Sequence, residues 1–589
     1  MKNTSQQFEK RLGDQIIFGG PIYTMAEGTG LVECLLVRHG KVIAAGAKQS
    51  LLAQAAKGAI EVDLKGATVL PGLIDTHPHL LHFSSMHDPL VDILDARDHD
   101  DIVARIRKRA AVTPPGEWIM TTPVGDLDSH YSAERSFLDL AEGKLPDRHV
   151  LDQASHEHPI MIQAWAPRIP NAIAFNTLAL NILNVNSNTP DRVDNVWIEK
   201  DQSGAPTGVL SGSVTNYYSG DSYSDSLWRQ IPWLQSAAYI PATIKGMSRY
   251  NAQGVTAVFE GHFMDAPLVE IYRHLRRDNL LRVRVMLAQE AESYGMPWSK
   301  ARKSEDFMRR LQMAADSVDL TDEYLRFCGV SFMRDGTCFP GFLKMRKPYR
   351  GPYGEVTDGH DYISKERCAC VMKFCADHKM RLATVSMGSQ AHEDNLQQIE
   401  ELDRELGVGA IASLHWILVH AFFVEEQQAK RYADLGFDVT TTLSFVWGKG
   451  DLFLERMDPE ILKDLIPLKR LFDSGMHVAG GSDWGPKNAF KQIQLALTHE
   501  FAKSKRNNLG EAQKISREQA VAMWTREAAA VLRWDEIGTL EVGKNADFIV
   551  IDRDPFTCDV HSIGSTKVHR TVLAGSVVHD DEIVSAVHA

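Results

Sequence analysis

The run LPGLIDTHPHL places two histidines, His77 and His79, directly after an apolar stretch that stops at Asp75. On an extended backbone, side chains at i and i+2 share a side, so both imidazoles face one way. Paired imidazoles at the end of a buried strand are a natural donor pair for a transition-metal ion. An H-x-H pair also arises by chance in a chain with 23 histidines, but its position after Pro-Gly at a strand end favours ligation. A second signal is MHVAGGSDWG, where an apolar run stops at Gly480 and Gly481 and Asp483 stands on the following turn. A carboxylate there would ligate the same ion and take a proton from water; the plainer reading is a helix-capping Asp. His420 closes a third apolar run, ILVH, whereas His415 lies at that run's start and reads as structural. Lesser candidates are Glu260 and His262 in VFEGH, as replacement ligands, substrate contacts or loop hydrogen bonders. Trp165, Arg168 and Trp447 are either pocket-lining or plain packing, and Arg334 with Asp335 reads as a turn ion pair.

Bringing these groups together requires strands that end on one side. Apolar runs of strand length fall at 67–75, 255–260, 281–287, 328–333, 381–387, 417–420, 437–442 and 476–482, and helical patterns at 364–379, 393–406, 425–435 and 458–474. Eight strands alternating with helices predict an α/β fold, a (β/α)8 TIM barrel, whose C-terminal face gathers the strand ends. The interval from about 83 to 250 is too long for one connection and predicts an inserted lobe. Both chain ends, 1–66 and 535–589, carry short β-rich runs split by Gly pairs. Single hairpins are marginal alone, so the ends are expected to pair into one small β-sandwich domain, with the barrel at 67–534 inserted between them.

Composition narrows the function. The 589 residues are 44% hydrophobic and 24% charged, ordinary globular proportions. With 64 Lys+Arg against 77 Asp+Glu the net charge is −13, which argues against nucleic acid and against an anionic membrane surface. No apolar run approaches the roughly 18 residues of a membrane span, and the polar start MKNTSQQFEKRLGDQ lacks a secretory apolar region. The seven cysteines are odd in number and lack framework spacing, which suits a reducing cytoplasm. The cluster at 368–375 lies in a helical pattern, where i and i+2 do not share a face, so it reads as buried thiols. A small-molecule partner is what remains.

The H-x-H strand, ILVHA, GSDWG and the closing EIGTLEVGKNADFIVIDRDP together resemble the amidohydrolase superfamily, and more narrowly its amidohydrolase-3 branch, which includes N-substituted formamide deformylases. GGPIYTM, RHGKVIAAG, NTLAL, DQSGAPTGVL, GVTAV and the turn at Asp335–Gly336 extend the likeness over nearly the whole chain. The resemblance implies a metal-dependent hydrolase, in which a bound ion polarises a carbonyl and lowers the pKa of water to roughly 7. The family's binuclear ligands are paired histidines, a carboxylated lysine on strand four, single histidines on strands five and six, and an aspartate on strand eight. Carried over, these fall on His77, His79, His420 and Asp483, but Ser331 stands at the lysine and Val385 at the strand-five histidine. The expectation is therefore one divalent metal, Zn with Mn, Fe or Co as alternatives, held by His77, His79 and Asp483. His420 either completes the shell or stabilises the substrate's developing oxyanion. The implied reaction is hydrolysis of a C–N bond in an N-acyl or N-formyl amide, with Asp483 acting as base and then as acid. Cleavage of an ester or of a C–C bond beside a carbonyl, and a non-catalytic small-molecule binder, are the alternatives; family members are often homodimers.

Overall fold

Eight strands pair in chain order into one parallel sheet: Leu73–Asp75, Val255–Glu260, Arg284–Glu290, Leu325–Met333, Arg381–Ser386, Ile417–His420, Asp438–Thr441 and Val478–Gly480. The computed structural model describes residues 14–26, 28, 30–125, 135–164, 169–216, 221–232, 236–292, 303–318, 320–336, 341–581 and 586–588. Every residue of the eight strands is buried except Arg326 and Arg381, which are partly so. Such strands are covered on both faces, so they read as continuous apolar runs with no polar alternation. Helices including Ala266–Arg277, Lys365–Asp377, Ser389–Leu406 and Glu426–Asp434 follow their strands and cover the outside. The seam between strands eight and one is closed by the 523–524 segment. Ile74 N–H donates to Trp524 O (2.8 Å) and Gly480 N–H to Met523 O (2.9 Å). Nearer the mouth the two strands meet directly, Thr76 N–H donating to Gly480 O (3.1 Å).

Six of the eight strands differ from the sequence reading in their bounds, the first and third most. The run at 67–75 is two strands, because Thr68–Pro71 pairs antiparallel with Phe548–Ile551 while Leu73–Asp75 enters the barrel. The chain changes layer at Gly72, where a Cβ would lie 2.2 Å from Thr256 Oγ1. The third strand runs Arg284–Glu290, later than 281–287, because its first residue is a buried arginine rather than part of the apolar run.

Between strands one and two lies a lobe with its own six-stranded sheet, including Ile119–Thr121, Asn171–Phe175 and Pro206–Gly212, over a separate apolar core around Ile102, Ile106, Ile160 and Ala174. A nine-stranded sheet joins both chain ends, with Gln15–Tyr23, Leu31–Arg38 and Lys41–Gly46 from one and Phe548–Ile551, Val568–Leu573 and Ser576–Asp580 from the other. Gln15–Tyr23 pairs with Ile60–Asp63 before its irregularity between Phe18 and Ile22 and with Thr68–Pro71 after it. That change of neighbour at Gly19 and Gly20 bends the sheet into the layers of a β-sandwich. No described helix is long and apolar enough to cross a membrane.

Barrel and terminal sheet are joined by a buried ion pair. Arg284 Nε and Nη2 donate to Asp547 Oδ2 and Oδ1 at 2.7 and 3.1 Å, and Asp547 Oδ1 also accepts Ala574 N–H at 2.7 Å. Both side chains are excluded from solvent. Removing one partner strands a buried charge, so Asp547→Asn should destabilise by ~3–5 kcal/mol, whereas Arg284→Met with Asp547→Leu should cost much less than the sum of the single changes. Denaturant unfolding of the single and double variants measures this; additive losses would contradict it.

Candidate metal centre

Strands one, six and eight deliver the donors. His77 and His79 follow strand one, His420 ends strand six and Asp483 stands on the turn after strand eight. His77 Nε2 lies 3.2 Å from His79 Nε2. Asp483 Oδ1 is 3.3 Å from His79 Nε2, and Oδ2 is 3.6 Å from both His77 Nε2 and His420 Nε2. All four side chains are buried. Among the described residues, His77, His79 and Asp483 are the one group of three metal-type donors lying within 4.8 Å of one another.

These donors fit a single ion. Four ligands at ~2.0–2.1 Å from a tetrahedral metal stand roughly 3.3–3.4 Å apart, close to the spacings here. Burial pushes the His77 imidazole down to about 4 and holds His79 and His420 well below the ordinary histidine value. Neutral rings keep lone pairs for a metal. Burial also opposes ionisation of Asp483, but the facing rings of His77, His79 and His420 outweigh it and hold this carboxyl well below the usual range.

The backbone is bent to present these groups. His79, His420 and Asp483 adopt left-handed φ of 47°, 73° and 48°, a region costly for residues with a Cβ and one that clusters at functional sites. Asp75 restrains the two segments that carry His77 and Asp483. Its carboxylate accepts His77 N–H (3.0 Å), Ser482 N–H (3.0 Å) and Ser482 Oγ–H (2.6 Å), tying strand one to the turn of strand eight. Asp483 N–H donates to His77 O at 2.6 Å, and a Cβ on Gly481 would lie 2.5 Å from His77 Cβ. Lys487 Nζ donates to Pro78 O (2.8 Å), Ser482 Oγ (3.3 Å) and Asp483 O; burial lowers this lysine to about 8.

Aromatic rings wall the centre. Trp484 stacks on His79 (centroids 4.7 Å, 15°), and Phe445 lies edge-on to His420 at 5.4 Å. Neither ring, nor the Asp75 tether, stood out in the sequence, although SDW and SFVW hold both rings beside residues that did. Trp447, two residues along from Phe445 on the helix Ser444–Arg456, is buried with Lys491 Nζ over its ring at 5.7 Å. Trp165 and Arg168 lie outside the described residues.

The other candidates separate. Glu260 accepts Leu81 N–H (3.1 Å) and Tyr272 O–H (2.6 Å), fastening the helix that follows His79, and burial raises its carboxyl to about 7. His262 is nearer, its ring 5.8 and 5.5 Å from those of His77 and His79. Arg334 and Asp335 do not pair as expected. Arg334 faces Asp361 and Asp394 at 3.2 and 3.6 Å, outside the barrel. Asp335 accepts the backbone N–H groups of Lys344, Met387 and Gly388, because its carboxylate is the cap for the loops after strands four and five.

Ser331 and Val385 face the barrel interior. Thr384 bonds Asn395 on the covering helix and pairs with Phe332, so the alternate residues Ser331 and Val385 point inward. An aliphatic side chain cannot ligate, and Ser331 Oγ has no partner among the described residues.

Comparison with known proteins places these features in context. The model of the amidohydrolase family matches residues 61–579. N-substituted formamide deformylase from Arthrobacter pascens is 24% identical over 96% of this chain and 98% of its own. The putative amidohydrolase YtcJ of Bacillus subtilis is 23% identical over 95% and 98%. The crystal structure of an uncharacterized metal-dependent hydrolase from Pyrococcus horikoshii superposes with a TM-score of 0.68 at 20% identity, over 93% of this chain and 99% of that one.

Groups that orient ligands without touching the metal typically contribute 10–100-fold to its affinity. Asp75→Asn should therefore weaken divalent-metal binding by ~10–100-fold while leaving the circular dichroism spectrum unchanged. Competition with a chromogenic chelator reads the affinity; wild-type affinity in the variant would show that the tether does not position the site.

Proposed function

The chain belongs to the amidohydrolase family and is a hydrolase of that kind, and from this premise we infer that it cleaves the C–N bond of an N-acyl or N-formyl amide at a mononuclear zinc site. The observation that carries the reading is the donor set of His77, His79 and Asp483, within 4.8 Å of one another, together with an interior whose fourth and fifth strands offer Ser331 and Val385. Two neutral imidazoles and a carboxylate suit Zn, a borderline-soft ion, and leave a position open. When bound, such an ion polarises a substrate carbonyl and makes water nucleophilic near pH 7.

The chain's own groups divide the remaining work. Asp483 Oδ1 is engaged by Trp484 N–H at 2.7 Å and faces His79. Oδ2 is then the oxygen that takes a proton from the attacking water and returns it to the leaving nitrogen. The water oxygen bonds to the acyl carbon as the C–N bond breaks, and the nitrogen leaves as an amine. His420 Nε2, 3.6 Å from Oδ2, donates to the oxyanion that develops on the carbonyl oxygen. Trp484, Phe445 and Phe263, whose ring lies 5.2 Å from that of His79, exclude bulk water from these charges, which strengthens them. The deformylase named above supports a formamide as substrate, and the free described cysteines support a cytoplasmic location.

Metal analysis with an amide panel tests this. The purified protein should hold about one equivalent of zinc, His77→Ala should hold none, and Asp483→Asn should lower kcat on N-alkylformamides by at least ~10³-fold. Two equivalents of metal, or turnover that survives chelation, would sink it.

A further inference from the structure

Glu290 is the last residue of barrel strand three and is fully buried. Its Oε2 accepts the backbone N–H of Phe263 and stands 3.4 Å from His262 Nδ1. Its other oxygen, Oε1, has no partner among the described residues. Ser331 is its register partner on strand four, also fully buried, and its Oγ has no partner either. Register partners in a parallel pair put their side chains on one face, and for Ser331 that face is the barrel interior. Two buried acceptors therefore stand on neighbouring strand ends, Glu290 against the His262 ring that itself borders His77 and His79.

A buried carboxylate oxygen without a donor is strongly destabilising, so this corner is complementary to a positive or N–H-rich group. A second metal ion fits it less well. Among the described residues His262 and Glu290 are joined by no third metal-type donor as at His77, His79 and Asp483, and a serine hydroxyl is a poor zinc ligand. We propose that Glu290 and Ser331 form a subsite for the nitrogen side of the substrate, in which the N–H groups of the leaving amine donate to Glu290 Oε1 and Ser331 Oγ. The proposal rests on the amide-hydrolase reading and adds a recognition rule to it. Substrates whose leaving group presents N–H donors are selected over oxygen isosteres, because the isostere leaves both acceptors unpaired.

Benzylamine and benzyl alcohol, as amine and neutral probes, titrated calorimetrically into the zinc-loaded full-length protein test the subsite without requiring turnover. Wild type should bind the amine at least ~10-fold more tightly than the alcohol, the scale of a charge-assisted hydrogen bond. Glu290→Gln should abolish that preference and Ser331→Ala reduce it, each with unchanged zinc content and melting temperature. Should Glu290→Gln melt early, Ser331→Ala decides. Equal binding of the two probes to wild type, or a preference that survives in the variants, overturns the proposal. So does a second equivalent of metal lost in Glu290→Gln, which would make Glu290 a cation ligand. A Glu290-dependent amine preference in a protein that turns over no amide would leave the subsite standing and remove the amide reading.

Discussion

The candidate metal centre depends on one buried carboxylate, Asp75, which joins two pieces of chain 407 positions apart. Its three accepted hydrogen bonds pull the turn after strand eight against the segment that carries His77. Each bond to a charged acceptor contributes ~1.5–3 kcal/mol, enough to offset the ~1–3 kcal/mol that left-handed conformations cost at His79 and Asp483. Gly481 makes the approach possible, since any side chain there would occupy the space of His77. Burial raises the Asp75 carboxyl, while nearby Lys487 and the Ser482 hydroxyl favour its ionised form. The site is thus held by a small polar knot whose members touch the donors' backbone rather than the metal position.

Around that knot the barrel mouth is asymmetric. Strands one, six and eight present nitrogen and oxygen donors, whereas strands four and five present a hydroxyl and an isopropyl group. The metal-type donors are accordingly gathered on one side, where His77, His79, His420 and Asp483 face one another, and the rings of Trp484 and Phe445 pack against them. Asp335, two residues past strand four, is engaged by three backbone N–H groups and contributes rigidity instead of a ligand. Fixed donors in a dry pocket act more strongly than the same groups in solvent, and they need no reorganisation during reaction.

The barrel was legible because its strands are buried on both faces, so each stands out as an apolar run, and the donors were legible because they sit where those runs stop. Bounds were less so wherever burial and strand membership diverge. The stretch 67–75 reads as one strand-length run, yet it serves two sheets, and the change of partner falls at Pro71–Gly72, which the spacing alone does not distinguish from a continuous strand. Arg284 is hidden for the opposite reason: a charged residue at a strand start looks like a loop until Asp547, distant in sequence, neutralises it. The same holds for Asp75, Ser482 and Lys487, ordinary polar residues whose role arises only when the barrel closes. Glu260 and His262 share one short motif but diverge in space, one fastening a helix and the other bordering the paired histidines. Residues two apart at a strand end leave the sheet, so their shared face no longer follows from spacing.

Strand three shows how distant parts of the fold fix the chemistry at the mouth. Its first residue, Arg284, is anchored to the terminal sheet through Asp547, and its last, Glu290, lies at the opposite end. Seven residues at ~3.3 Å rise put the two ends roughly 20 Å apart, with side chains alternating between core and covering helices. Slipping the strand by one residue would turn Glu290 away from Ser331 and leave Arg284 without its acceptor, so both ends oppose the same error. The terminal β-sandwich therefore does more than shield the base of the barrel. By neutralising a guanidinium whose other facing acid, Glu323, is exposed to solvent, it sets the register that brings a carboxylate to the interior beside His262.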